Sequence, residues 1–162
     1  MAEFASALVA LVGAGAKVGG SLYTLIHTLK DAPSEFFALS DEIADFRSIL
    51  SRLLDTVTSE DVVAICGRQA NDIEIMRLKG EQTVKEIEVL VAKVRKEGQA
   101  GEKSNQVKKI RWLRNVSQAE KLRERLRAQK ITICNFIALV IMYVVEPPQV
   151  PCGSQTISDA ST

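Results

Sequence analysis

The side chains that most often act as catalytic groups or metal ligands are few and scattered in this sequence. His27 is the only histidine, and it lies in an apolar segment. The three cysteines, Cys66, Cys134 and Cys152, are far apart and form no CxxC pair. A zinc site needs closely spaced cysteines and histidines, and a disulfide framework needs paired cysteines. The pattern therefore argues against both and is typical of a reducing compartment.

Carboxylates could act as general acids or bases, but those of this sequence lack a suitable neighbour. Glu42 and Asp45 lie in a predicted helix with no histidine beside them. A single histidine in an apolar helix, such as His27, is more often structural than catalytic. We therefore predict that the protein is not an enzyme, with no catalytic residue, no metal, no cofactor and no small-molecule substrate.

The segment VALVGAGAKVG, residues 9–19, contains a variant of the glycine pattern that binds dinucleotides. That pattern requires a second strand about 20 residues further on, where this sequence has a long helical stripe instead. A P-loop would need glycine, lysine and serine in succession, but Lys17 is separated from Ser21. Gly15 and Gly19 have the spacing of a close-packing helix face, either within a bundle or within a membrane.

The clearest structural element is a helix predicted over residues 35–57. Its apolar residues are three or four positions apart, which forms one continuous stripe on a helix. Ser34 is the predicted N-cap. The stripe is predicted to lie in the core, and its members are Phe36, Leu39, Ile43, Phe46, Leu50, Leu53 and Val57.

A first helix is predicted over residues 5–30. Four interior glycines each cost about 1 kcal/mol of helix propensity, so this helix is weak unless it is packed. Pro33 disfavours helical geometry at Ala32 and ends the helix. The residues predicted to face a membrane or a second copy are Leu8, Leu11, Val12, Gly15, Val18 and Gly19.

A third helix repeats the stripe, through Ile73, Met76, Gly80, Thr83, Ile87, Leu90 and Val94. Residues 62–70 are interpreted either as a short helical turn or as the frayed start of this helix. Residues 96–105 contain two glycines and are predicted to form a mobile loop.

A basic helix is predicted to begin at residues 106–116 and to break or kink near Asn115, because Ser117 to Glu120 form a capping-box pattern. The residues predicted to face inward are Val107, Ile110, Leu113, Ala119, Leu122 and Leu126, with Trp112 as a packing anchor. Residues 131–145 contain only two polar side chains. They would extend about 22 Å as a helix, which is short for a membrane span, so we predict burial on most sides.

Charge is unevenly distributed although the net charge is only +1. Residues 31–61 contain eight acidic and two basic side chains, whereas residues 103–130 contain ten basic and two acidic ones. The two segments are either complementary solvated helices or include an anion-binding surface for lipid headgroups or nucleic acid. The residues predicted to face an anion are Lys108, Lys109, Arg111, Arg114, Arg123 and Arg127. Nucleic acid is disfavoured because Trp112 is the only aromatic residue there for stacking.

The predicted fold is all-α, a four- to five-helix bundle with an apolar, glycine-bearing first helix and a long basic last helix. One domain covers residues 1–145, and residues 146–162 form a tail that is predicted to be disordered. The amino-terminal segment carries Glu3 instead of the basic start of a signal peptide, so a cytoplasmic location is predicted.

Three features resemble the N-terminal helical domain of fungal NLR-like, or STAND, proteins. They are the glycine-bearing first helix leading into LKDAPSEFFALSDEIADFRSIL, the third helix followed by a loose loop, and IRWL leading into AEKLRERLRAQKITICNFIAL. Residues 31–50 are the most specific part. The group is HeLo-like and includes the N-terminal domain named after an azaphilone pigment cluster protein, and the resemblance covers residues 1–145.

The resemblance implies a helical bundle that acts as the effector end of an immune or incompatibility receptor. Such bundles precede a NACHT or NB-ARC module, whereas only fourteen residues follow Pro148 here. The leading hypothesis is a signalling domain that self-associates and perturbs anionic membranes through its first helix, as a peripheral protein at the plasma membrane. The alternative is a passive adaptor that docks on other helical bundles or NLR proteins.

Overall fold

The computed structural model describes the backbone of residues 2–28, 32–59, 69–99 and 105–145, and the side chains within 4–28, 32–59, 69–96 and 113–145. These ranges form helices and contain no strand. The helices are α1 (Ala2–Thr28), α2 (Ser34–Thr58), α3 (Ala70–Gln99) and α4 (Asn105–Val145). The all-α bundle is confirmed, with four helices over the described ranges.

Each helix packs against two others, so the four helices occupy the corners of a square. α1 contacts α2 and α3, and α4 contacts the same two helices from the opposite corner. Among the described helices α2 and α3 are consecutive in the chain, but they lie on a diagonal. α1 and α2 are antiparallel, since Gly15 lies against Arg47 and Gly19 lies against Ile43.

The predicted apolar stripes form the core of the bundle. All seven stripe residues of α2 are buried, as are all seven stripe residues of α3. Burying large apolar side chains stabilises the fold by about 1.5–3 kcal/mol each, so the stripes are the main source of stability. Gly80 of α3 lies at the centre, where a Cβ atom would be 3.0 Å from Leu11 of α1 and 3.2 Å from Phe46 of α2. Its missing side chain leaves room at the centre of the bundle for the side chains of Leu11 and Phe46.

The start of α2 differs from the prediction that Ser34 is its N-cap. Pro33 is the N-cap, with φ −62° and ψ 151°, and its carbonyl accepts a hydrogen bond of 3.1 Å from the Phe36 amide. Ser34 is the first helical residue, and its hydroxyl donates to Glu35 at 3.4 Å. Proline fixes φ near −65°, which suits the N-cap position, so the helix begins directly after Pro33.

The predicted break near Asn115 is wrong, because α4 is one continuous helix of 41 residues. At 1.5 Å per residue it is about 61 Å long. Ala119, Leu122 and Leu126 are buried as predicted, and this inward face continues past Ser117 without interruption. Packing of that face against α2 and α3 outweighs the local capping signal. Of the residues 96–105 that were predicted to form a mobile loop, 96–99 belong to α3 and Asn105 to α4, and residues 100–104 lie outside the described residues.

The last part of α4 is exposed, which contradicts the prediction that residues 131–145 are buried on most sides. Ile133, Phe136 and Val140 are buried, but all of residues 141–145 are exposed. α4 has 41 residues, whereas its two neighbours have 25 and 30. Within the described residues, the end of α4 therefore lacks a full set of neighbouring helices to cover it. Leu113, predicted to face inward, is also exposed.

Several predictions lie outside the described residues. They are the turn or frayed helix at residues 62–68, the end of the first helix at 29–30, the tail at 146–162, and the inward packing of Val107, Ile110 and Trp112.

Candidate functional site

A charged cluster joins α2 to α4. Glu42 carries a carboxylate whose side chain is only 8% exposed, and Lys130, 17% exposed, pairs with its Oε1 atom. Arg127 Nε donates to Glu42 Oε2 at 3.1 Å. Lys130 Nζ also donates to Asp45 Oδ2 at 3.2 Å, and Arg127 Nη1 donates to Glu124 Oε1 at 3.0 Å. The acidic segment and the basic segment of the sequence therefore pair with each other in the fold, through opposite charges on α2 and α4.

The cluster keeps its cations charged. Burial lowers the pKa of Lys130, but hydrogen bonds to Glu42 and Asp45 outweigh this effect and leave the pKa above its ordinary value. The hydrogen bond to Glu42, together with the nearby Glu124, raises the pKa of Arg127. A buried carboxylate with two cationic partners is suited to holding α2 against α4, and it offers no unpaired group for proton transfer.

The residues predicted to face an anion do not form one surface, as far as their side chains are described. Arg114 is exposed. Arg123 is half-buried, with its Nη2 atom 3.8 Å from Glu124 Oε1, and Arg127 is engaged by Glu42. The side chains of Lys108, Lys109 and Arg111 lie outside the described residues.

The residues of α1 that were predicted to contact a membrane or a second copy pack against the bundle in this structure. Leu8, Leu11, Val18 and Gly15 are buried, and Val12 and Gly19 are half-buried. The apolar face of α1 is thus already covered by α2 and α3.

Two of the four glycines in α1 make close helix contact. A Cβ atom at Gly15 would lie 3.0 Å from Arg47 Cγ, and one at Gly19 would lie 3.2 Å from Ile43 Cγ2. At Gly13 and Gly20 a Cβ atom would meet nothing within 4 Å. Of the two explanations for the spacing of Gly15 and Gly19, the structure shows close packing in a bundle.

Two helices, Phe4–Thr28 and Leu113–Val145, are long and apolar enough to cross a membrane. In their most apolar stretches only 28% and 17% of the residues are buried in the bundle. This is weak evidence, because core helices and signal sequences have the same composition.

A groove of about 680 Å³ runs between α3 and α4. Met76, Ile133 and Phe136 are its buried apolar lining, and Ile75 and Leu139 are exposed lining residues. Within it, Gln129 Nε2 donates to Thr83 Oγ1 at 2.8 Å and to the Lys79 carbonyl at 3.0 Å. The groove adjoins the exposed end of α4, because Leu139 belongs to both.

The end of α4 is an apolar surface that sequence reasoning missed. Six large apolar side chains there are between 39% and 72% exposed, namely Leu139, Ile141, Met142, Tyr143, Val144 and Val145. An unbroken apolar run has the same composition whether it is buried or exposed. Helix length could have indicated the exposed end, since an uninterrupted α4 of 41 residues extends beyond neighbours of 25 and 30 residues.

The histidine and cysteine side chains that could act as catalytic groups or metal ligands lie apart from one another among the described residues. His27 is exposed and lies beside Tyr23, with ring centroids 4.2 Å apart and the two ring planes tilted by 53°. Cys134 is an exposed free thiol on α4. Among the residues that the structure describes, no group of three or more His, Cys, Asp and Glu side chains could hold a metal ion.

Comparison of the chain with protein-family models, with curated proteins and with solved structures finds no match. The resemblance to the fungal NLR-like N-terminal domain therefore stays a prediction.

Proposed function

We propose that this protein is a non-enzymatic helical signalling domain of the fungal NLR-like type, and that it acts through self-association. The observation that carries the proposal is the exposed apolar end of α4, with six large side chains that a folded bundle presents without any rearrangement. Folded monomers rarely expose a contiguous apolar patch of more than a few hundred Å², and larger patches usually mark interaction sites.

The free energy for association comes from covering this surface. Removing apolar area from water contributes about 25 cal/mol per Å², from which the loss of rotational and translational freedom must be subtracted. A surface confined to the end of one helix therefore supports a weak interaction, which forms when the local concentration of the domain rises. That behaviour suits a signalling domain that is brought together by a partner.

Sedimentation velocity of the purified chain from low to high micromolar concentration tests the proposal. We expect a concentration-dependent shift from monomer to a defined oligomer. A sedimentation coefficient that stays at the monomer value throughout this range would overturn the proposed function.

A membrane step through α1 is the second part of the proposal. It is supported by the length and apolar composition of α1 and by the dependence of its contact with α2 on Gly15 and Gly19. Released α1 would offer its apolar face to an anionic membrane, and the cytoplasmic face of the plasma membrane is the proposed place. Release has a large cost, because α1 buries six large apolar side chains, worth about 9–18 kcal/mol in total.

This cost favours the adaptor as a second candidate function. An adaptor would keep α1 in place and dock on similar bundles, or on NLR proteins, through the end of α4. The two candidates are distinguished by flotation with anionic liposomes at concentrations where oligomers form. Oligomers that do not float with liposomes identify an adaptor, whereas oligomers that bind and permeabilise liposomes identify a membrane effector.

A further inference from the structure

α3 carries a second stripe on the side that faces away from the bundle. It repeats the alternating steps of three and four residues of the buried stripe, but it is shifted by two positions, which is the opposite side of a helix. We call this stripe the outer seam of α3. All of its members are exposed, namely Ile75, Leu78, Gln82, Lys85, Val89, Ala92 and Lys96.

The exposed apolar residues of α3 are confined to the outer seam. Ile75, Leu78 and Val89 are 40%, 50% and 63% exposed, and Ala92 is exposed as well. The other exposed residues between positions 71 and 96 are polar or charged, namely Asn71, Asp72, Lys79, Glu88, Lys93 and Arg95. Apolar residues at heptad spacing between charged flanks are typical of a helix that pairs with another helix.

The position of α3 in the fold leaves the outer seam accessible. α3 occupies one corner of the square, with α1 and α4 packed on its two inner sides. A hollow of about 560 Å³ follows the middle of the seam, and its lining includes Leu78, Gln82, Lys85 and Val89. A second helix can approach this corner, because the other helices of the bundle lie behind it.

We propose that two copies of this chain pair through the outer seams of α3, in an antiparallel contact that places Leu78 of each copy opposite Val89 of the other. This surface is separate from the apolar end of α4, so the inference goes beyond the proposed function. The occupant of the seam is a second copy because the seam and its charged flanks complement themselves in one register only.

The polarity of the seam selects this register. Ile75 then lies opposite Ala92 of the other copy, and the polar Gln82 lies opposite the polar Lys85. Apolar layers therefore lie at both ends of the contact, with polar layers between them. A shift of one heptad in either direction would instead put Leu78 opposite a polar seam residue.

The charged flank on the α4 side selects the same register. Glu86 of this flank binds Arg125 of α4, and Asp72 and Lys79 line the groove toward α4. A two-fold axis keeps this flank beside the same flank of the other copy. Asp72 then lies beside Lys93, and Lys79 lies beside Glu86, so every contact along this flank joins opposite charges.

Other registers lose this complementarity. A shift of one heptad in either direction would bring Lys79 beside a lysine and Glu86 beside an acidic residue. Like charges placed next to each other across a helix pair are unfavourable, so the flank discriminates between registers as well as favouring one.

The flank on the α1 side is mixed in the proposed register. Glu74 lies beside Arg95 of the other copy, which is attractive, whereas Glu81 lies beside Glu88. The repulsion of these two glutamates is reduced because each is already paired with a cation of its own chain. The charges of the two flanks together favour association.

A parallel pair is disfavoured by the same residues. It would place each seam residue opposite its own equivalent, so that Lys85 meets Lys85 and Lys96 meets Lys96. It would also bring Glu81 beside Glu86 of the other copy. The antiparallel arrangement avoids all of these contacts except the one between Glu81 and Glu88.

The size of the contact predicts a weak dimer. About five turns of α3 are covered in each copy, and polar layers occupy the middle of the seam. Such an interface lies at the lower end of specific protein contacts, so we expect a dissociation constant in the micromolar range.

Disulfide formation between two single-cysteine chains tests the register, in a background whose Cys66, Cys134 and Cys152 are replaced by serine. An L78C chain is mixed with a V89C chain that carries a tag of distinguishable mass. We expect the mixed dimer at several times the yield of either dimer of identical chains. In the proposed register two copies of L78C are about 17 Å apart along the helices, too far for a disulfide.

Mixtures of L78C with Q82C or with K96C are the controls, because each represents a register shifted by one heptad. Both are expected to give little mixed dimer. Equal yields from the three mixtures, or L78C dimers as the main product, would overturn the antiparallel register.

Charge reversal tests the flank on the α4 side. D72K and K93D each place like charges beside each other twice in a dimer of identical chains, and both native side chains are exposed. We expect each variant alone to dimerise about fivefold more weakly in sedimentation equilibrium. An equimolar mixture of the two variants is expected to regain the native affinity, because the mixed pair has opposite charges at both contacts. A mixture no tighter than the single variants would overturn the inference.

Two further variants separate this inference from the proposed function. V89K places a charge in the outer seam and M142K places one at the end of α4, where the native side chains are 63% and 65% exposed. We expect V89K to weaken dimerisation at least tenfold and disulfide formation between L78C and V89C chains to persist when M142K is added. Oligomers that are unchanged in V89K but lost in M142K overturn only the α3 pairing. A native chain that is monomeric at all concentrations overturns both.

Discussion

At the scale of single residues, Glu42 is the carboxylate that α2 carries into the contact with α4. Its two oxygens are paired with Lys130 and Arg127, so the charge is compensated although the side chain is buried. Removing one partner of a buried ion pair leaves the other charge without compensation. The contact is therefore more sensitive to the loss of one partner than to the loss of the whole pair.

We predict that K130M lowers the free energy of unfolding by about 1–3 kcal/mol, because Glu42 then keeps only Arg127 as a cationic partner. Urea denaturation monitored by circular dichroism measures the change. K121M, at an exposed position of α4, is the control and is expected to stay within about 0.5 kcal/mol of the native chain. The double variant E42L/K130M is expected to recover part of the loss, and equal losses in K130M and K121M would contradict the structural role.

The same cluster predicts a dependence of stability on alkaline pH. The folded state raises the pKa of Lys130 above its ordinary value of 10.5, because the hydrogen bonds to Glu42 and Asp45 outweigh its burial. Its contribution is therefore complete below about pH 10 and is lost as the pH rises through the folded-state pKa. The stability difference between the native chain and K130M should be constant between pH 7 and about pH 9.5 and should shrink as the pH rises beyond the ordinary lysine pKa of 10.5. A stability difference that grows at alkaline pH would contradict a raised pKa of Lys130 in the folded state.

At the scale of secondary-structure elements, α1 is held by packing more than by its own helix propensity. Four glycines weaken it, but two of them allow the close contact with α2. The other two face open space. The same substitution at the two kinds of site therefore has opposite consequences for how firmly α1 is attached.

We predict that G13A/G20A raises the free energy of unfolding by about 1–2 kcal/mol, since alanine improves helix propensity without a clash. G15A/G19A gains the same propensity but pushes α1 away from Arg47 and Ile43, so its stability falls below that of G13A/G20A. Thermal and urea unfolding measure both variants.

If α1 also acts on membranes, the two variants differ in a second measurement. Dye release from anionic liposomes is expected to be faster with G15A/G19A than with the native chain, and no faster with G13A/G20A. Each variant contains two Gly→Ala changes in the same helix, so composition and propensity are matched. Similar release by both variants would exclude a role for detachment of α1 from α2.

At the scale of the whole molecule, α4 has two roles that differ along its length. Its middle part forms one corner of the bundle, through Leu122, Leu126 and Ile133. Its last turns leave the bundle and present apolar side chains to the surroundings. A surface outside the cooperative core can change without loss of folding, which is useful for an interaction site.

We therefore predict effects of different size on stability for nearby residues of α4. V140A removes part of a fully buried side chain and should lower the free energy of unfolding by about 1–3 kcal/mol. V145A, five residues further on, should change it by less than about 0.5 kcal/mol at concentrations where the chain is monomeric. Urea denaturation at low protein concentration compares the two, and equal losses would mean that the end of α4 is part of the core.

The helices and their buried faces could be predicted from the sequence because helical periodicity is a local property. The steps of three and four residues identify the inward faces of α2 and α3, with Gly80 and Thr83 included, before any neighbour is known. The apolar composition of α1 and the complementary charges of α2 and α4 are equally local. The continuity of α4 past Ser117 could not be predicted, because a capping signal competes there with packing that the sequence does not display.

What only the tertiary structure decided is which surfaces meet and which remain uncovered. It places α2 and α3 on a diagonal, sets Glu42 between Lys130 and Arg127, and turns two of four similar glycines toward α2. It also leaves the apolar end of α4 exposed. The physical reason is that burial depends on the lengths and positions of neighbouring helices, whereas apolar periodicity reports only which side of one helix is to be covered.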